Sequence, residues 1–304
     1  MTARNTSGRL SGRVDPPRRQ DGGFANDSSV ESRSESLQTA RGSYVTARRL
    51  PDLAAALDDR DWQIIRTLQR VRVATGDQLA RLHCADFAAA AGDRQCRRVL
   101  ASLAERGIVA RLGRSIGGVR AGSRGWVYAL DRAGQRLVTG AARLRRPWTP
   151  GVPFLAHSLA VTELYVRLVE AHRVGAVELV SFVTEPGCWR TFTAAHGRAV
   201  LKPDAFVVTA HDEFEDRWFV EVDQGTEAAS TLDRKLDVYT AYWRSGSEQQ
   251  ATGTFPRVLW LAPTPVRHGA IVDACGRQPV DAWPLFTVAL LSEAVERIAQ
   301  GAAT

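Results

Sequence analysis

Apolar positions change their spacing as the chain proceeds, and the changes mark out its elements. From Asp58 the period is helical: Ile64, Ile65, Leu68 and Val71 make one stripe, and Asp58 or Asp59 stands where a cap belongs. Thr75 is placed to cap a second, shorter helix, Gly76–His83, with Leu79 and Leu82 inward. A loop of alanines over 88–91, then Gly92, leads to a third helix over 93–106, whose inner stripe is Cys96, Val99, Leu100 and Leu103. Gly107 follows at the position where a left-handed residue commonly ends a helix. Two β-type runs, 108–112 and 126–130, then flank a connection rich in glycine and arginine. Residues 134–150, with Arg143, Arg145, Arg146, Pro147 and Pro150, read as an interdomain joint.

A long helix opens at Pro153 and runs to about Arg173. His157, Val161, Leu164 and Leu168 share its stripe, which Leu155, Leu159 and Val166 widen. A strand over 177–183 follows, then a strand or loop over 188–193 whose Trp189 and Phe192 are expected on the sheet. Two alternating runs, 205–209 and 217–223, joined by an acidic loop, predict an antiparallel hairpin. Next come a helix with Leu232, Leu236, Tyr239 and Trp243 inward, a strand 257–262, a helix 266–275, a strand 286–290 and a closing helix 293–299. Helices alternating with strands in this way predict an α/β fold, and no repeat of fixed period interrupts it.

Charge sharpens the division. Residues 1–149 hold 27 Lys/Arg against 14 Asp/Glu, whereas residues 150–304 hold 13 against 19. A basic first half is the electrostatic footprint of a polyanion binder, nucleic acid being the usual case. Residues 1–50 are polar and arginine-rich and read as a disordered basic tail. The expected domains are therefore that tail, a first domain over 58–138, a linker over 139–152 and a second domain over 153–300. On the third helix Arg94 and Arg98 fall on the outer face with Arg97 on its flank, and Arg111, Arg114, Arg120 and Arg124 lie in and beside the following connection. No apolar run approaches the ~18 residues that span a bilayer, and the amino terminus lacks a signal-peptide core, so a cytoplasmic protein without a membrane partner is expected. Cys84, Cys96, Cys188 and Cys275 show no paired spacing and are expected as reduced core residues rather than zinc ligands or disulfides.

The candidate chemistry sits in the predicted hairpin. Alternation sends Glu221 and Asp223 to one face and Trp218, Val220 and Val222 to the other, while Asp204 opens the neighbouring strand after Pro203. Three carboxylates in one place repel one another unless a cation or a shared proton relieves them, and Mg²⁺ is the hard cation such oxygens suit. Lys235 borders the apolar stripe of the next helix, where it either reaches outward or meets those acids; Lys202 lies just upstream of Asp204. The alternative is an exposed acidic strand end with no task. His157 is expected as a core histidine rather than a ligand, and Glu163 as a surface glutamate, with an approach to the carboxylates left open.

Three helices followed by a basic, glycine-rich hairpin resemble a winged helix-turn-helix, and Leu-Ala-Glu-Arg-Gly-Ile-Val at 103–109 is similar to the entry into the wing. Pro203-Asp204, then Glu221-Val222-Asp223, resembles the PD-(D/E)XK nuclease-like core, a restriction-endonuclease-like α/β domain with a central mixed sheet flanked by helices. The combination is similar to the replication-relaxation family of bacterial plasmids and integrative elements. Its landmarks here are Phe154–Tyr165, Leu201–Phe206, Phe219–Glu227 and Lys235–Tyr239. The resemblance implies that the third helix and wing contact double-stranded DNA through Arg94, Arg97, Arg98, Arg114, Arg120 and Arg124. It implies that Asp204 and Glu221 hold Mg²⁺, that Asp223 adds a ligand where the motif usually carries lysine, and that Lys235 steadies water or phosphate. Replication or transfer proteins are the implied partners, and winged-helix regulators often pair as homodimers. Three functions follow: an accessory DNA-binding protein of mobile-element replication, a Mg²⁺-dependent endonuclease or nickase, or a repressor whose second domain serves assembly.

Overall fold

Val73–Thr75, too short to register as a strand in the sequence, decides how the first half closes. The structure, a computed structural model, describes residues 47–112, 126–140, 151–195, 197–211 and 214–302. Its first elements are α1 (Leu50–Ala55), α2 (Asp59–Val71), β1 (Val73–Thr75), α3 (Gly76–His83) and α4 (Ala89–Glu105). Both α2 and α3 begin in reciprocal capping boxes. The Asp58 carboxylate accepts the Asp61 N–H at 2.7 Å, and the Thr75 hydroxyl accepts the Gln78 N–H at 3.1 Å while Gln78 takes the Thr75 N–H at 2.9 Å. The alanine run expected as a loop is instead the first turn of α4, consistent with alanine being the strongest helix former. Gly92 is needed there because a Cβ would stand 2.6 Å from the Cys84 carbonyl oxygen.

β2 (Val109–Leu112) and β3 (Val127–Leu130) complete an antiparallel sheet in the order β1-β3-β2. After it comes α5 (Arg132–Thr139), a helix capped by Asp131 where a joint was expected. Residues 1–46 of the expected tail, the loop bearing Arg114, Arg120 and Arg124, and the basic cluster Arg143–Arg146 lie outside the described residues, whereas the end of that tail, Ala47–Arg49, is a helical turn leading into α1.

The second half opens with α6 (Val152–Arg173) and continues through β4 (Glu178–Thr184), β5 (Arg190–Ala194), β6 (Gly197–Leu201), β7 (Ala205–His211) and β8 (Phe214–Val222). It closes with α7 (Ala229–Ser245), α8 (Ser247–Thr252), β9 (Arg257–Ala262), α9 (Pro265–Gly276), β10 (Phe286–Leu290) and α10 (Ala294–Ala299). Five strands form one sheet, β10-β9-β8-β7-β4; β9 is parallel to both its neighbours, and β7 is antiparallel to β8 and β4. The fold is mixed α/β. Alternation along β8 works as the sequence predicts: Trp218, Val220 and Val222 enter one core, whereas Phe219 joins Leu232, Leu236 and Tyr239 of α7 in the other.

The first of those cores does not stop at the second half. It runs on through α6 to Ile64, Leu68, Leu79 and Leu100. Polar contacts reinforce the seam: Thr162 donates to the Val73 carbonyl at 2.8 Å, and Arg81 reaches Glu163 at 2.7 Å and Glu170 at 2.6 Å. α6 is long and apolar enough by composition to cross a membrane, but Val161, Leu164, Val166 and Leu168 lie in this shared core, while Val152 and Phe154 at its start are exposed.

Candidate functional site

Asp204 is fixed by backbone before any side chain acts on it. Its N–H donates to the Val220 carbonyl at 3.0 Å, and one carboxylate oxygen accepts the Val222 N–H at 2.7 Å. That pairing draws the carboxylate against β8, beside Glu221. The other oxygen faces Nε2 of His157, on α6, at 3.0 Å. Glu221 is 2% exposed, and each of its oxygens has a partner from α7. Oε1 accepts the Tyr239 hydroxyl at 2.7 Å, and Oε2 faces the Lys235 ammonium at 3.1 Å. Residues four apart share a helix face, so Lys235 and Tyr239 reach one carboxylate together. Lys235 makes a second ion pair with Glu227 at 2.8 Å, and its ammonium lies 5.6 Å from the centre of the Trp260 ring.

Burial dominates the protonation of this cluster. It pushes Glu221 up to about 8, helped by the negative charge of Asp204 and opposed by Lys235. Burial also holds the Tyr239 hydroxyl well above its ordinary range, with Glu221 adding to the effect. For Lys235 burial pulls downward, but Glu221, Glu227 and Asp204 outweigh it and keep the ammonium charged. His157 is likewise raised: burial alone would lower it, but its hydrogen bond and attraction to Asp204 exceed that penalty.

Of the acids expected to converge, the structure gathers Asp204 and Glu221 with Lys235 and leaves Asp223 out. Asp223 follows the end of β8, and its carboxylate lies in a two-pronged pair with Arg267 of α9, at 2.9 and 2.6 Å. It also accepts the Gly225 N–H, which closes a local turn. Glu163 faces Arg81 and Gln78 instead of the carboxylates. His157, expected as a core histidine, is part of the cluster. Lys202 sits with its ammonium 4.8 Å from the Trp189 ring, and Trp189 is exposed rather than packed on the sheet. Three participants are not legible as such in the sequence. Tyr239 stands there only as a member of an apolar stripe, although its spacing from Lys235 is the available signal. Glu227 and Arg267 carry no local signal.

A divalent cation needs anionic oxygens with room for it. Here both Glu221 oxygens are occupied by Tyr239 and Lys235, both Asp204 oxygens have protein partners, and Asp223 is held by Arg267. Among the described residues no group of three or more His, Cys, Asp or Glu side chains is disposed to hold a metal ion. The donor set does not fit Mg²⁺. On α4, Arg94, Arg97 and Arg98 are all exposed, and Arg97 also donates to the Asp93 carbonyl at 3.1 Å.

Comparison with known proteins adds one positive result. The family model described as replication-relaxation matches residues 65–258. No curated protein and no solved structure matches the chain.

Proposed function

The chain belongs to the replication-relaxation family, and from that premise we propose that it is a DNA-binding accessory protein in the replication of a plasmid or other mobile element. The observation that carries the reading is the two-sidedness of α4. Cys96, Leu100 and Leu103 are buried in the core, while Arg94 and Arg98 stand exposed opposite them and Arg97 is exposed on the flank. The succession α2, α3, α4, β2, β3 supports a winged helix-turn-helix, in which the third helix enters the major groove. The succession α6, β4, β7, β8, α7, β9 supports a nuclease-like second domain. That domain contributes architecture rather than hydrolysis, because the protein's own cation and hydroxyl occupy its carboxylates.

Replacing Arg94 and Arg98 together with alanine is expected to weaken duplex binding about tenfold or more at moderate salt. Fluorescence anisotropy over a salt series should also show the slope of log affinity against log salt falling by about 1 for each phosphate that is no longer neutralised. Binding that is unchanged in affinity and slope would remove α4 as the reader.

The endonuclease reading is favoured by one observation, the gathering of Asp204, Glu221 and Lys235. Supercoiled plasmid separates the two. The expected result is the same low background of nicking in Mg²⁺, in EDTA and with Glu221→Ala. Nicking that needs Mg²⁺ and vanishes in Glu221→Ala would install the enzyme instead.

A further inference from the structure

The β5–β6 hairpin leaves the chain between β4 and β7, and its two faces differ in chemistry. Inward, Phe192 and Leu201 are buried against α7. Arg190 is held there too, 3.2 Å from Glu248 and with its guanidinium 5.0 Å from the centre of the Phe206 ring. The outward positions are Thr191, Thr193, Arg198 and Val200, with Thr191 opposite Val200 and Thr193 opposite Arg198. Trp189 and Lys202 extend the same alternation by one step at the base of the hairpin. All six are exposed.

This face carries an indole, two cations and two hydroxyls but no carboxylate. It does so in a half of the chain where 19 acidic residues outnumber 13 basic ones. Trp189 is 37% exposed, with the Lys202 ammonium close to its ring, so an aromatic surface and a positive charge are offered together. Aromatic side chains beside cations are how proteins bind single strands, the ring stacking on a base and the cations meeting phosphates. A duplex suits the face less well. Its bases are already stacked on one another, and its denser charge is repelled more strongly by the net negative charge of residues 150–304.

We propose that the outer face of the β5–β6 hairpin binds single-stranded DNA, with Trp189 stacking on a base and Lys202 and Arg198 contacting phosphates. The choice of DNA rests on the function proposed above, but the preference for single strands is independent of α4. Both modules together would let one protein hold a duplex and an adjoining unpaired strand.

The test uses the full chain, a labelled oligothymidine of about 16 nucleotides and a duplex, read by fluorescence anisotropy. The parent protein is expected to bind both. Trp189→Ala should weaken oligothymidine binding about tenfold, Trp189→Phe should retain most of it, and duplex affinity should not move. Lys202→Gln and Arg198→Gln should each lower the single-strand salt slope by about 0.7. Oligothymidine binding by Trp189→Ala that equals the parent's would overturn the proposal, as would equal losses on both DNAs. A parent that binds duplex but not oligothymidine would overturn this proposal alone. A parent that binds neither would take the DNA-binding function with it.

Discussion

Above about pH 8, where Glu221 is ionised, Lys235→Met is expected to destabilise the folded protein by about 3 kcal/mol, the lower end of what removing one partner of a buried ion pair costs. Methionine keeps much of the stem over Trp260, so what disappears is the charge. Glu221 is almost wholly buried and cannot turn to water for replacement. Lys235 is about a third exposed at 35%, so solvent reaches its side of the pair and the upper end of the range does not apply. The sign of the pH dependence follows from Glu221. Its folded pKa, about 8, lies above the ordinary 4.5, so the folded state holds this proton more tightly than the unfolded chain. The stability it contributes is complete below the ordinary value and is lost as pH rises through about 8. Removing the ammonium raises the folded pKa further, so the deficit of Lys235→Met should widen toward alkaline pH. Glu221→Gln, which has no proton to lose there, should flatten the profile and rescue much of the deficit when combined with Lys235→Met. Urea unfolding of the two single variants and the double variant across that range measures this coupling. A small deficit that is the same at every pH would mean that Glu221 never depends on Lys235.

The contrast between Glu221 and Asp223 shows what a sequence can reveal before its fold is known. Glu221, Lys235 and the apolar residues around them obey periods of two and of about four residues, which act over a few positions and leave their mark in the sequence. The strands at 257–262 and 286–290 are legible for the same reason, since a continuous apolar run between turns admits few other assignments. Arg267 is 44 residues from Asp223 and reaches it because β9 lies parallel beside β8, which places the start of α9 next to the end of β8. No local pattern encodes that meeting. His157 belongs to the same class: it reaches Asp204 because α6 crosses the sheet there, a matter of packing between distant elements. β1 leaves no sign because three residues are too few to show a period, and β6, although paired with the adjoining β5, because Gly-Arg-Ala-Val-Leu neither alternates strictly nor runs apolar. The start of α4 is hidden for a different reason, as a run of alanines has no polar positions to define a face.

The second large effect concerns the buried pair of Asp223 with Arg267. Asp223→Lys is expected to lower stability by about 3–5 kcal/mol, because it removes the acceptor from a buried pair and sets an ammonium against the guanidinium left behind. The Asp223 side chain is 0% exposed and Arg267 is 15% exposed, so neither charge can swing into water without moving backbone. The Gly225 N–H loses its acceptor at the same time, which loosens the turn between β8 and α7 that carries Glu227. Asp223→Asn keeps the shape, still accepts from Gly225 and retains part of its hold on Arg267, so a loss of about 1–2 kcal/mol is expected. Reversing both charges, Asp223→Lys with Arg267→Glu, should recover part of what the single substitution loses. Thermal and urea unfolding of the three variants resolves the series. If Asp223→Lys is as stable as the parent, Arg267 does not hold this corner and Asp223 is free for another partner. If the expected order holds, a lysine at 223 is tolerated only together with a compensating change at 267.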